Sequence, residues 1–317
     1  MKEIGGFFGL ELGIGGKFHE GALALNSARN CLRHIVHTKG IKRLLVPFYT
    51  CDAVVDALKA EAVKSIPYKV NADFSPILED DQDDYLLYIN YFGVNSKNIE
   101  KLLKIHPKLI IDNAQAFYSQ PVANIDTFYS PRKFFGVPDG GYVYCSGKCS
   151  ERQLETAVSY DRFEHLLKRI DLTANEAYPA FKKAEEVIAS DPIRRMSNLT
   201  KALLSSINYA EVRTRRLDNF AYLHQALKVF NQLSLNLSPD DIPMVYPFLS
   251  KNPTLRNTLI QHSIYVATYW PDPAKRIPAG SREAYLVSNM VPLPVDQRYG
   301  KAELDSMIAL VIDNLQE

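Results

Sequence analysis

The sequence predicts an α/β protein whose large domain has a mostly parallel sheet flanked by helices, followed by a smaller C-terminal α+β domain. Helical and strand patterns alternate from Leu25 onward, which is the order of βαβ units. Several apolar runs lack the alternation of half-exposed strands, as expected for strands buried in a parallel sheet. At 317 residues the chain is long enough for one large core and a smaller second unit.

The individual elements follow from these patterns in chain order. Helices are predicted at residues 28–38, 52–61 and 96–105, and strands at residues 43–47, 63–67, 85–91, 109–111 and 142–145. A helix-rich stretch follows from residue 151 and is most periodic over 213–230. We therefore predict a large domain over residues 1–231 and a small domain over 232–317. In the small domain, strand-like segments at 263–269 and 285–292 precede an amphipathic helix at 302–315.

Composition narrows the classes of partner. Lys and Arg number 37 against 36 Asp and Glu, so a net charge of +1 predicts neither nucleic acid nor an anionic membrane as a partner, and favours small molecules or other subunits. No apolar run has the length of a signal peptide or a membrane span. Four cysteines do not form a disulfide framework, and Cys145 and Cys149 lack the second pair that a zinc site needs. We interpret their thiols as incidental and expect no metal site and a cytoplasmic location.

Two segments place free backbone N–H groups at the start of a predicted helix. Ser27-Ala28-Arg29 opens the first helix, where the free N–H groups and the positive helix end suit a phosphate. The segment 46–51 ends a strand with a Pro-aromatic turn and leads through Cys51 into the second helix. Each segment also has an interpretation without a ligand, because Ser27 is a common N-cap residue and Pro-aromatic turns are frequent at strand ends.

Two further segments carry side chains suited to chemistry. Asp112 and Gln115 follow a buried strand at its carboxyl end, where open α/β sheets bind ligands. Lys133 lies six residues before Asp139, which two glycines follow. A lysine amine in a partly desolvated pocket can form a Schiff base with an aldehyde. Alternatively, Asp112 is a turn or cap residue and Lys133 is a surface lysine.

In their order and spacing, these four segments resemble the DegT/DnrJ/EryC1/StrS family of sugar aminotransferases, over about the first half of the chain. The resemblance implies the type I aspartate aminotransferase fold, with a seven-stranded type of sheet, and the cofactor pyridoxal 5'-phosphate (PLP). It implies that Lys133 carries the cofactor and later moves a proton, while Asp112 pairs with the pyridine nitrogen. The implied cofactor-binding residues are Ser27, Ala28, Arg29, Cys51, Asp112, Gln115, Ser130 and Lys133.

The chain departs from the family pattern at several of these positions. Ala28 and Arg29 stand in place of a Gly and a Thr, and Cys51 takes the place of an aromatic residue that stacks on the cofactor. Phe128 replaces a phosphate-binding Ser, so Thr127 or Ser130 would have to take over that contact.

The function that the resemblance implies is amino transfer from a donor such as glutamate to a keto sugar, carried on a nucleotide, by a homodimer. Two alternatives remain open. One is another Schiff-base reaction on the same fold. The other is a descendant that binds no cofactor and acts as a binding or assembly protein, which the departures in the pocket favour.

Overall fold

The computed structural model describes residues 6, 8–13, 15–78, 83–147, 154–270 and 276–315. Its centre is one eight-stranded sheet in the order β1-β8-β7-β6-β5-β2-β3-β4. The strands are β1 (Leu23–Leu25), β2 (Arg43–Pro47), β3 (Lys64–Val70), β4 (Pro76–Ile77), β5 (Tyr85–Ile89), β6 (Leu109–Asn113), β7 (Asp126–Tyr129) and β8 (Gly141–Tyr144).

The five strands from β7 to β3 in this order pair in parallel, whereas β8 pairs antiparallel with both β7 and β1, and β4 pairs antiparallel with β3. The predicted mostly parallel sheet is confirmed. It has eight strands because the two-residue β4 extends the edge beside β3.

Helices cover both faces of the sheet in the described part of the chain. They are α1 (Ala28–Lys39), α2 (Asp52–Ala60), α3 (Lys97–Ile105), α4 (Glu164–Asp171), α5 (Ala174–Ser190), α6 (Asn198–Ser205), α7 (Tyr209–Leu227), α8 (Leu255–Gln261), α9 (Arg282–Asn289) and α10 (Lys301–Asp313). Capping explains why α1 begins and ends where it does. Ser27 Oγ accepts from the backbone N–H of Asn30 at 3.1 Å, and Gly40 ends the helix at φ +64°. None of these helices combines the length and the apolar character that crossing a bilayer requires.

One predicted strand in the C-terminal part is wrong, and a second, at residues 285–292, is right only for its last three residues. Residues 263–269 form no strand, because the backbone N–H of Ile264 bonds back to the carbonyl of Leu259 and closes the end of α8. Residues 285–289 belong to α9, because Ser281 caps that helix by accepting from the backbone N–H of Ala284. The strand begins only afterwards, as β10 (Met290–Pro294), which pairs antiparallel with β9 (Val245–Leu249).

The main hydrophobic core joins the two parts of the chain. One cluster of buried side chains includes Leu45 and Tyr88 of the large sheet together with Leu259 and Leu304 of the C-terminal part. A second cluster fills the space between the sheet and the pair α1 and α2. The boundary between residues 231 and 232 stays a prediction.

The interpretation of Cys145 as an incidental thiol is wrong, because Cys145 is disulfide-bonded. Cys149, the other cysteine named with it, lies outside the described residues. Cys31 and Cys51 are free thiols.

Candidate active site

A cavity of about 170 Å³ lies where the carboxyl ends of the central strands meet the first turns of α1 and α2. Asp112 is contributed by β6, and Lys133 comes from the short 3₁₀ turn that follows β7. Seven of the eight predicted site residues line this cavity, and they are Ser27, Ala28, Arg29, Cys51, Asp112, Ser130 and Lys133. The fold therefore brings together segments that are more than a hundred positions apart in the sequence.

Asp112 is a buried carboxyl group with a raised pKa. Its side chain is 5% exposed, and Oδ1 accepts from the backbone N–H of Ala114 at 2.8 Å. Burial raises the pKa of Asp112 from 3.8 to about 6, while the charge of Lys133 and the Ala114 N–H act in the opposite direction. Lys133 thus lies near enough to Asp112 to interact with it electrostatically.

Two helix N-termini converge on the same cavity. Ser27, Ala28 and Arg29 belong to the first turn of α1, and Cys51 and Ala53 to the start of α2. The first N–H groups of a helix have no acceptor within it and carry a partial positive charge. This wall of the cavity therefore favours an anion such as a phosphate group.

The predicted glycine pair allows the backbone of β8 to approach the start of α1. The backbone N–H of Gly140 donates to the carbonyl of Asn26 at 2.8 Å, and Gly140 has φ +118°. A Cβ atom on Gly141 would lie 2.5–2.7 Å from backbone atoms of Ser27 and Ala28. Asp139, before the glycines, is fully buried and accepts from the backbone N–H and Oγ of Ser197, so it ties this turn to α6.

Substituting Gly141 by alanine is expected to lower the free energy of unfolding by about 1–3 kcal/mol, because the added methyl group has only backbone atoms to displace. Urea denaturation of the purified variant measures this loss. Gly136→Ala is the matched control, since its Cβ would meet Leu166 Cδ2 at an ordinary 3.5 Å. Equal losses in the two variants would contradict the close approach at Gly141.

Hydrogen bonds hold the backbone after Lys133 in place, whereas the lysine side chain is exposed. The carbonyl of Phe134 accepts from Gln297 Nε2 at 2.9 Å and from a guanidinium N–H of Arg216 at 3.4 Å. Phe134 itself is buried. Lys133 can therefore change its side-chain conformation without moving the turn that carries it.

The structure places the remaining candidates elsewhere or in other roles. Gln115 does not line the cavity, and its Oε1 accepts from the backbone N–H of Phe92 at 2.7 Å. Of the two hydroxyl groups considered for phosphate, Ser130 lines the cavity, whereas Thr127 donates to the carbonyl of Ile125. Phe128 provides an aromatic wall of the cavity, whereas Tyr49, the aromatic residue two positions before Cys51, packs against Tyr91 in the main core.

Sequence reasoning missed the contribution of α5. Glu185, Ile188 and Ala189 line the cavity, Glu185 forms an ion pair with Arg132, and Arg29 donates to the carbonyl of Ala189 at 2.6 Å. The sequence contains a capping box at Thr173 and Glu176 that marks the start of this helix. The capping box marks where the helix begins but does not indicate which surface of the protein the helix packs against.

No family profile and no curated protein sequence matches the chain, but solved structures do. A DegT DnrJ EryC1 StrS aminotransferase from Brucella abortus superposes with a TM-score of 0.62 at 14% identity, covering 93% of this chain and 86% of that chain. The chain has the fold of these aminotransferases.

Two other solved structures have the same fold. The sugar aminotransferase CalS13 from Micromonospora echinospora superposes with a TM-score of 0.63 at 11% identity, covering 92% of this chain and 87% of that one. The PLP form of the sugar aminotransferase Spr1654 from Streptococcus pneumoniae gives 0.62 at 14% identity, with 92% and 86% covered. At such identities the likeness is one of fold.

The lining of the cavity fits a phosphate-bearing ring. A cavity of about 150 Å³ is enough to hold benzene, so a cavity of 170 Å³ has the size of one six-membered ring. The buried carboxylate of Asp112 suits a ring N–H, and the ends of α1 and α2 suit a phosphate. Glu185 would repel a phosphate, but its ion pair with Arg132 offsets that charge.

Proposed function

We propose that the chain is a PLP-dependent aminotransferase in which Lys133 carries the cofactor and Asp112 holds the cofactor's ring nitrogen. One observation supports this more than any other: Lys133, Asp112 and the first turn of α1 line one cavity of single-ring size. The shared fold with aminotransferases supports it as well.

Each of these residues has a role that follows from its geometry. PLP, when bound, supplies an electron sink that stabilises negative charge at the substrate carbon. Asp112 keeps one oxygen on the Ala114 N–H, which leaves the other to accept from the ring nitrogen and hold its proton. The side chain of Lys133 is exposed, so its amine would be able to take a proton at Nζ from the substrate carbon and deliver it to the carbon on the cofactor's side of the bond, as amino transfer requires.

The α1 N-terminus and Ser130 would bind the phosphate group. Ala28 and Arg29 offer backbone N–H groups, and Ser130, which lines the cavity, offers a hydroxyl group in place of the Ser lost at Phe128. Cys51 and Phe128 would contact the ring, because both line the cavity.

We further propose an amino acid such as glutamate as the donor and a keto sugar, linked to a nucleotide, as the acceptor. Support comes from the resemblance of the four segments and from neighbours described as sugar aminotransferases.

A homodimer and a cytoplasmic location stay predictions. Exposed apolar side chains on α4 and α5, such as Ile170 and Tyr178, supply a surface that a second copy could cover. Light scattering that shows a monomer would contradict the dimer.

Absorption spectroscopy of the purified protein tests the aminotransferase. After incubation with PLP and removal of the excess, the protein is expected to be yellow, and glutamate is expected to bleach that colour while 2-oxoglutarate accumulates. A band that glutamate leaves unchanged would exclude amino transfer from this donor and favour another Schiff-base reaction.

The alternative without a cofactor is favoured by the acidic Glu185 and the bulky Phe128 on the cavity wall. It predicts that the protein emerges from the same experiment colourless at every PLP concentration. Retention of the yellow colour through gel filtration would rule it out.

A further inference from the structure

Arg132, the residue before Lys133, is a cation on the wall of the candidate active site. It lies in the 3₁₀ turn after β7 and lines the cavity of about 170 Å³ together with Ser27 and Ala28 of the α1 start. Arg132 and Lys133 also line a larger cavity of about 560 Å³, so the two cavities adjoin at this turn. The guanidinium group of Arg132 is therefore placed where a ligand of the active-site cavity can reach it.

The hydrogen-bonding capacity of Arg132 is only partly used. One terminal nitrogen of its guanidinium group donates to Glu185, whereas its Nε is buried and has no hydrogen-bond partner among the described residues. A guanidinium group carries five N–H donors in a planar fork that matches a carboxylate or a phosphate. Buried polar atoms are satisfied in most folded proteins, so the unused donor needs an explanation. A second anionic partner for Arg132 supplies one.

The present partner, Glu185, is held loosely although its helix is held firmly. The side chain of Glu185 is 43% exposed, and ion pairs at such positions contribute little to stability. The end of α5 is fixed to α1, because Arg29 donates to the carbonyl of Ala189 at 2.6 Å and Asn30 Nδ2 donates to the carbonyl of Asp191 at 3.1 Å. The Glu185 carboxylate can therefore turn towards solvent without any movement of α5.

A phosphate group at the α1 N-terminus and the Glu185 carboxylate would compete for Arg132. Both are anions, and both would lie on the wall of one cavity of single-ring size. Like charges at close range disfavour each other, so the weaker partner of the arginine is expected to leave. Arginine pairs with phosphate through two parallel hydrogen bonds, whereas an exposed carboxylate pair is weak. Phosphate is therefore the stronger partner.

We propose that Arg132 is the cationic anchor of the cofactor phosphate and that Glu185 is its exchangeable counterion. Phosphate binding displaces the Glu185 carboxylate from Arg132, and the carboxylate turns to solvent. Arg132 thereby supplies the contact that the side chains of Phe128 and Arg29 do not reproduce, and Glu185 lowers the affinity for the cofactor. This inference rests on the proposed function, because its ligand is the proposed cofactor.

Equilibrium dialysis of the full-length protein with PLP, and with pyridoxal, which lacks the phosphate, tests the anchor. We expect Arg132→Gln to weaken PLP binding about tenfold through the loss of a charge-assisted contact, and to change pyridoxal binding less than twofold. Glu185→Gln should tighten PLP binding about threefold, because the competing ion pair is lost. Glu186→Gln is the matched control, since Glu186 is the exposed neighbour on α5 and lines neither cavity.

The double variant Arg132→Gln/Glu185→Gln separates exchange from simple repulsion. If Glu185 acts by occupying Arg132, the tightening caused by Glu185→Gln disappears once Arg132 is replaced, because the two effects are coupled. A threefold gain that persists in the Arg132→Gln background would mean that Glu185 only repels the phosphate, and the exchange would be wrong. Weaker PLP binding by Glu185→Gln would also overturn it, since the carboxylate would then orient Arg132 for the phosphate.

Two further results would overturn the anchor: PLP binding that Arg132→Gln leaves unchanged, or pyridoxal binding weakened as much as PLP binding. Bleaching of the yellow colour by glutamate, together with either result, would leave the aminotransferase standing without this inference.

Inorganic phosphate, titrated by isothermal calorimetry, covers the case of a protein that takes up no PLP. Phosphate binding that Arg132→Gln weakens and Glu185→Gln tightens would then refute the aminotransferase and keep the exchange. Equal phosphate affinities in all variants would refute the exchange.

Discussion

Replacing Lys133 by alanine is expected to abolish the yellow colour of the PLP-treated protein and to slow the conversion of glutamate to 2-oxoglutarate by at least roughly 10²–10⁴-fold, the contribution of a general base alone. The loss is specific to chemistry because Lys133 is exposed and the adjoining turn is held through the Phe134 carbonyl. The free energy of unfolding should fall by only about 1 kcal/mol, because Lys133 is exposed but its charge also stabilises the carboxylate of the buried Asp112.

Lys182→Ala provides the control for this variant, since Lys182 is exposed on α5 and lines neither cavity next to Lys133. Mass spectrometry of the keto acid product measures the rate, and the visible spectrum measures cofactor uptake. If Lys133→Ala keeps its colour and turns over glutamate within twofold of the parent protein, the proposed role of Lys133 is wrong.

Replacing Asp112 by asparagine is expected to raise the stability of the protein at neutral pH and to lower its activity. Burial raises the folded-state pKa of Asp112 from 3.8 to about 6, so the native fold favours the protonated form. The contribution of protonated Asp112 to the free energy of unfolding is fully present below pH 3.8 and is lost as the pH rises through 6. A shift of this size corresponds to roughly 3 kcal/mol, and asparagine does not ionise.

The cofactor-free Asp112→Asn protein should therefore match the parent protein in stability near pH 4 and exceed it by about 3 kcal/mol above pH 7. Asparagine can keep the hydrogen bond from Ala114, because its side-chain oxygen is also an acceptor. Denaturant titrations at the two pH values measure the difference. A stability gain that is independent of pH would show that the carboxyl group of Asp112 is not its cause.

The rate of the glutamate reaction should fall in the Asp112→Asn variant, in contrast to its gain in stability. Without the negative charge at Asp112 the ring nitrogen loses the group that holds its proton, and we expect the glutamate reaction to slow by roughly 10²–10³-fold, as when a preorganised electrostatic contact is removed. Asp126→Asn is a useful comparison, because Asp126 is another buried carboxyl group but lies at the start of β7 and outside the cavity. Equal losses in both variants would indicate a general defect of folding.

Much of the fold follows from local patterns. The predicted bounds of α1, α2 and β2 agree with the structure to within one residue, since apolar periodicity and residues such as Ser27 act over a few positions. The strand predicted at 285–292 begins only at residue 290, because the serine cap at Ser281 starts a helix that includes residues 285–289. Residues 263–269 have strand-like composition but form no strand, and the backbone N–H of Ile264 instead bonds to the carbonyl of Leu259 at the end of α8.

The sequence by itself determined the α/β class, the four segments and the pair of residues proposed for chemistry, because helix caps, buried strands and glycine turns are encoded in neighbouring residues. Only the tertiary structure decided that Gln115 supports the Phe92 turn, that Glu185 lines the cavity, and that a second, larger cavity adjoins Lys133. These features depend on contacts between residues far apart in the chain. The raised pKa of Asp112 depends on the same assembly, because burial exists only once the strands and helices have packed together.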